Sequence, residues 1–140
     1  MTERPTSWSL WLPWPPSVNN LYSQKFQGGR VIRFPSTQYR KWRKEAVVRV
    51  CAARLPTITD PVTLSLALVP PDGRHRDASN YVKACEDALV LARVLQGDDA
   101  RYVRSVQPFW DGKPNRKWAG VTIAIRVVPT RVPAAGEVVA

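Results

Sequence analysis

Histidine, cysteine and acid are all scarce in this chain, and each shortage removes a class of chemistry. His75 is the one histidine, and the two cysteines, Cys51 and Cys85, lie far apart, so no zinc site of standard ligand spacing can be assembled. Both cysteines fall in segments that read as apolar helix faces, which predicts reduced thiols in a core. No apolar run reaches the roughly 18 residues a membrane span needs, and the opening Met1-Thr2-Glu3-Arg4-Pro5 lacks the pattern of a secretory signal. No membrane partner is expected, and the cytoplasm is the expected compartment. Acid is outnumbered: 11 Asp plus Glu stand against 21 Lys plus Arg, a formal net charge of +10. Such a field draws in polyanions, nucleic acid first among them, with a merely soluble cation as the plain alternative.

What is present is globular. Hydrophobic residues make up 44% of the 140 and charged residues 23%, enough apolar material for one core and too little length for two domains. Residues 7–14 alternate until Pro13, Pro15 and Pro16 stop them, as a strand ending in a stiff turn would. Gly28-Gly29 suits the tip of a hairpin between Leu21-Tyr22 and a short strand over 31–34. Ser36 is a good N-cap, and Tyr39, Trp42, Ala46, Val50 and Ala53 recur at helical spacing, predicting a helix to about Leu55. Its other face carries Arg40, Lys41, Arg43 and Lys44, cations that oppose the helix dipole and so point to phosphate binding or solubility rather than helix stability. A strand follows over 62–69, a helix from Ser79 or Asn80 to about Val94, and two strands over 100–110 and 118–128 joined by a hairpin at 111–116. The order ββαβαββ predicts a single α+β domain over residues 1–128, with two helices on a mixed sheet. Residues 129–140 read as a flexible tail.

Acid and base concentrate in one stretch: Arg74, His75, Arg76, Asp77, Ser79, Asn80 and Lys83, then Asp87, then Asp98-Asp99. At 100° per residue, Asn80, Lys83 and Asp87 fall within about 60° on one helical face, with Val82, Cys85, Leu89 and Ala92 roughly opposite. Asp77 before the helix and Asp99 beyond it reach that face only if the next strand folds back alongside. Carboxylates crowded in a basic protein repel one another unless a cation intervenes. Magnesium takes oxygen ligands and needs none of the nitrogen or sulfur missing here, and with an activated water it suits phosphodiester hydrolysis. Each member also has an ordinary reading: Asp77 as a helix cap, Lys83 and Asp87 as an exposed pair worth roughly 0.2–0.5 kcal/mol, Asp98-Asp99 as turn formers.

Leu12-Pro13-Trp14-Pro15-Pro16-Ser17 with Asn19, then Pro71 through Asp77, then Asn80-x2-Lys83-x3-Asp87-Ala88-Leu89, then Gly97-Asp98-Asp99 occur in that order over residues 12–128. In this pattern the sequence resembles the RusA family of Holliday junction resolvases. The resemblance implies a homodimer that binds four-way branched DNA and resolves it by symmetric paired nicks in recombination and repair. It implies Mg²⁺ as cofactor, with Mn²⁺ as a substitute, and no small-molecule cofactor. It places catalysis on Asp77, Lys83 and Asp99, puts the metal on Asp77 and Asp99 with Asp98 and Asp87 in support, and admits a phage or prophage origin.

One departure stands out. The family pattern commonly reads Asp-x-Asp-Asn, and this chain has Asp77-Ala78-Ser79-Asn80, so a serine replaces an expected carboxylate. A hydroxyl binds magnesium more weakly and brings no charge; Ser79 then reads as a helix cap, and junction binding without cleavage becomes the alternative function. A general basic scaffold or RNA-binding module is a third reading, which leaves the acidic cluster unexplained. DNA contacts are expected from Lys25, Arg30 and Arg33 on the hairpin, Arg40, Lys41 and Lys44 on the first helix, and Arg74 and Arg76 beside the acids. His75 reads as a phosphate neighbour, Lys113, Arg116 and Lys117 as a solvated hairpin tip, and Trp8, Trp11, Trp42 and Trp110 as core or dimer interface.

Overall fold

Strict alternation makes the centre of the sheet. In β4 (Val62–Val69), Val62, Leu64, Leu66 and Leu68 are buried and every residue between them is half-buried, the pattern of a strand with neighbours on both sides. A computed structural model describes residues 4–129 of the chain; all but the first residue of the expected tail over 129–140 lies outside the described residues. β4 pairs in parallel with β5 (Val103–Trp110) and antiparallel with β6 (Gly120–Val127). β6 in turn pairs antiparallel with β1 (Ser7–Pro13), giving a mixed four-stranded sheet in the order β1-β6-β4-β5. Gly120 in β6 leaves no room for a side chain: a Cβ there would come within 2.5 Å of the Leu12 carbonyl oxygen and 2.6 Å of the Trp11 ring.

The hairpin expected over 111–116 is not formed, because β4 lies between β5 and β6. The connection instead crosses the end of β4, where the Asp111 N–H donates to the Leu68 carbonyl and the Asn115 N–H to that of Pro70. A separate two-stranded sheet, β2 (Tyr22–Gln27) with β3 (Arg30–Pro35), adds one strand to the expected order. Its two-residue tip is Gly28 and Gly29, with φ of 61° and 75°, a left-handed pair that glycine adopts without a Cβ clash.

α1 (Thr37–Ala52) is capped by Ser36, whose Oγ accepts from the Tyr39 N–H. It buries Tyr39, Trp42, Ala46 and Val50, and the Trp42 indole N–H reaches the Pro13 carbonyl at 3.0 Å, tying the helix to β1. Cys51 lies one residue off that stripe and is exposed, contrary to expectation, whereas Cys85 is buried. α2 (Val82–Leu91) follows a 3₁₀ turn, Ala78–Tyr81, and buries Ala84, Cys85, Ala88 and Leu89. Both helices stop sooner than their apolar spacing predicts. Past each end an arginine, Arg54 or Arg93, takes a positive φ, the left-handed exit that usually shows in sequence as glycine. One continuous core of strand and helix side chains results. Among the described residues no helix is long and apolar enough to cross a membrane.

Candidate active site

The helical face predicted for α2 presents Lys83 and Asp87 one turn apart, and the chain after α2 brings Asp98 to meet them. The Lys83 ammonium lies 2.8 Å from Asp98 Oδ2 and 3.1 Å from Asp87 Oδ1. These two carboxylates hold the ammonium in its charged form, Asp98 contributing most, and push its pKa above the usual lysine value. The second oxygen of Asp87 accepts from the Tyr39 hydroxyl at 2.8 Å. Tyr39 is 1% exposed, and burial, followed by the neighbouring carboxylate, holds its phenol protonated well above the ordinary range. α1 thus fixes Asp87, and Asp87 helps to fix Lys83.

These groups line a cleft of about 360 Å³ together with Tyr22 and Arg43. Arg43 lies over the Tyr39 ring at 5.0 Å and Arg33 over Tyr22 at 4.5 Å, so cations from α1 and from the hairpin rim the acid–lysine group. Glu86, one residue before Asp87, is half-buried; burial first and the charge of Asp98 second push its pKa up to about 7.

Asp77 and Asp99 are engaged elsewhere. Asp77 Oδ1 accepts from the Ser79 N–H at 3.0 Å and from the Ser79 hydroxyl at 2.8 Å, which lowers its pKa. Asp77, not Ser79, is therefore the cap, and the serine hydroxyl turns back onto it. The Asn80 N–H donates to the Asp77 carbonyl. Arg101 grips Asp99 through its backbone N–H, Nε and Nη2, all at 2.9 Å, and holds the carboxyl down at about 2. In their hydrogen bonding Asp87 and Asp98 share Lys83, while Asp77 and Asp99 each have a partner of their own. Among the described residues no three His, Cys, Asp or Glu side chains gather closely enough to hold a metal ion.

The cations are unequally available. Lys25, Arg30, Arg33, Arg40, Lys41, Lys44 and Arg74 are exposed. Arg76 is not: its guanidinium is tied to Asp72 at 2.8 Å and its side chain is 13% exposed.

A family model, Endodeoxyribonuclease RusA, matches residues 13–126. The chain belongs to the RusA family. Among its RusA relatives, the crossover junction endodeoxyribonuclease RusA of Shigella sonnei is 35% identical over 99 residues, covering 69% of this chain and 78% of the relative. The protein of the same name from Escherichia coli K12 is 34% identical over the same shares. In this RusA-family chain, sequence reasoning missed Tyr39, Tyr22, Glu86 and Arg101 as members or neighbours of the site. Tyr39 carried a signal, since a tyrosine in an apolar helical stripe must find a partner for its hydroxyl. Arg101 carried none, because its grip on Asp99 depends on the conformation of the turn.

Proposed function

We propose that this protein is a structure-selective endonuclease that cuts four-way DNA junctions by phosphodiester hydrolysis, acting as a homodimer that makes paired symmetric nicks. Membership of an endodeoxyribonuclease family supports the chemistry. The observation that carries the site is the charged Lys83 held between Asp87 and Asp98 in a cleft rimmed by Arg33 and Arg43. Arg33 and Arg43 would steer the phosphate backbone inward, and Lys83 would face the phosphoryl oxygens as negative charge builds on them. An isologous dimer would set two such sites against opposing strands. The DNA substrate agrees with a cytoplasmic location.

The donor set is all oxygen, which suits a hard, hydrated cation, Mg²⁺ or Mn²⁺. Such an ion needs only one or two carboxylates, with water and phosphate oxygens completing the shell, rather than a closed cage. Asp77 and Asp99 are the proposed ligands, with Asp98 and Asp87 in support. When bound, such an ion supplies an activated water and neutralises phosphoryl charge. The chain's own residues orient the strand and keep Lys83 charged.

A second reading has its own observation. Ser79 occupies Asp77 and Arg101 occupies Asp99, and junction binding with little or no cleavage would follow if these contacts persist. One assay separates the two. With a synthetic four-way junction and Mg²⁺, the first reading expects paired symmetric nicks, lost in chelator and in Asp77→Asn or Asp99→Asn. The second expects junction-selective binding in Ca²⁺, no nicks in Mg²⁺, and cleavage gained by Ser79→Asp. Equal affinity for the junction and a linear duplex of the same length would refute both.

A further inference from the structure

We propose that the cleft between the loop before Asp77 and the turn after β5 is a subsite for one unstacked nucleobase of the bound DNA. This rests on the endonuclease reading above and adds where the strand is gripped beside the site. The cleft holds about 330 Å³ and is lined by Pro70, Arg74, His75, Arg76, Trp110 and Pro114, a volume at the small end of the ligand-pocket range. Its apolar lining includes an indole and two pyrrolidine rings.

Trp110 was expected in the core or at a dimer interface, yet it is 41% exposed and lines this cleft. It is nonetheless braced from behind. Its ring lies 6.3 Å from Trp14 at an interplanar angle of 20° and 6.3 Å from Tyr81 at 66°, and Trp14 and Tyr81 are themselves 4.7 Å apart. Arg76 lies over Trp14 at 5.6 Å and is fixed by Asp72, which spends the negative charge of the one carboxylate on the cleft wall. Arg74, 82% exposed, is placed to reach a phosphate at the mouth.

An apolar cleft with an indole in its wall and arginines at its rim fits a ligand that is a π ring on an anionic backbone. A paired base in a duplex has both faces covered by its neighbours, so only a base freed from its stack can present one to Trp110. A branch point interrupts the continuous stack, so a flanking base is freed there at less cost than within a duplex. Arg76 is followed directly by Asp77, so a strand whose base enters this slot carries its phosphates past the proposed active site. The subsite would thus select branched over linear DNA and set which phosphate is cut.

The test is a binding cycle in Ca²⁺ on junctions carrying an abasic residue at each position flanking the branch point in turn. For the wild type, one position should weaken binding roughly 5- to 150-fold, the worth of one base stacked on an aromatic ring. Trp110→Ala should lose a similar factor on the intact junction and lose nothing further at that abasic position. Trp110→Phe should recover most of the affinity, and thermal unfolding of the alanine variant should match the wild type within a few degrees. Full affinity of Trp110→Ala for the intact junction overturns the proposal, as does an abasic penalty equal in wild type and variant. A loss confined to Arg74→Ala overturns it too, assigning the cleft to phosphate alone. In each of these outcomes wild-type junction selectivity stays intact, so the endonuclease reading survives. Failure of the wild type to prefer a junction over a duplex removes both.

Discussion

Replacing Tyr39 with phenylalanine deletes one oxygen and tests whether the hydrogen bond from α1 to α2 carries stability. The hydroxyl is 2.8 Å from Asp87 Oδ2, the tyrosine is 1% exposed and the Asp87 side chain 20% exposed, so water replaces the lost donor poorly. A hydrogen bond to a charged acceptor contributes about 1.5–3 kcal/mol. Asp87 keeps Lys83 at 3.1 Å, which argues for the lower half, about 1.5–2 kcal/mol. For a domain of this size that corresponds to a fall in Tm of about 5–8 °C. Urea unfolding followed by far-ultraviolet circular dichroism and by tryptophan fluorescence should show the loss as a lower midpoint with an unchanged slope. In an Asp87→Ala background the same substitution should be nearly neutral, since the hydroxyl there has no carboxylate to meet. A loss below about 0.5 kcal/mol, or one of equal size in both backgrounds, would show that ring packing and not the hydrogen bond holds the helices together.

Glu86 gives a pH signature. Its carboxyl titrates at about 7 in the folded chain against an ordinary 4.5, so between these values the folded state keeps a proton that the unfolded state has released. Stability therefore falls as pH rises through this window, and the penalty is complete above about pH 7. The full shift would correspond to about 3 kcal/mol; with the group half-exposed, solvent screening reduces this to about 1–2 kcal/mol. Glu86→Gln should recover that amount at pH 8 and almost none at pH 4.5 in paired urea titrations, and an equal gain at both would contradict the assignment. Replacing Lys25, Arg30 and Arg33 together with alanine should reduce the logarithmic salt slope of junction binding by between about 1 and 3, at about 0.9 per phosphate contact. An unchanged slope in anisotropy titrations over a range of KCl would remove the hairpin from the interface.

The parts of the fold that could be read in advance are those written as periodicity. The stripe of Tyr39, Trp42, Ala46 and Val50 and the alternation of β4 follow from burial of one face and appear in the residues themselves. Strand order is different. β5 and β6 follow one another in the chain and are spanned by residues with turn chemistry, but the apolar run of β4 takes the centre of the sheet and separates them, a competition between strands that no local window records. The candidate site divides the same way. Lys83 and Asp87 are legible as a helical pair, and Asp98 reaches them. The individual partners of Asp77 and Asp99 are set by turns two residues long, whose local hydrogen bonds leave no periodic trace in the sequence.

Among the described residues the edge strand β1 has a single partner, β6, with Ser7 opposite Arg126. Leu10 and Leu12 are therefore separated from their neighbours Ile123 and Val121 by more than a hundred residues of chain. Closing so large a loop delays the reward of pairing, and β1 waits unpaired until β6 has been made. A chain cut short before Gly120 would leave β1 and one side of β4 without partners at once, exposing two apolar strand edges to neighbouring molecules. Truncation ahead of β6 should accordingly yield insoluble product rather than a trimmed but folded protein.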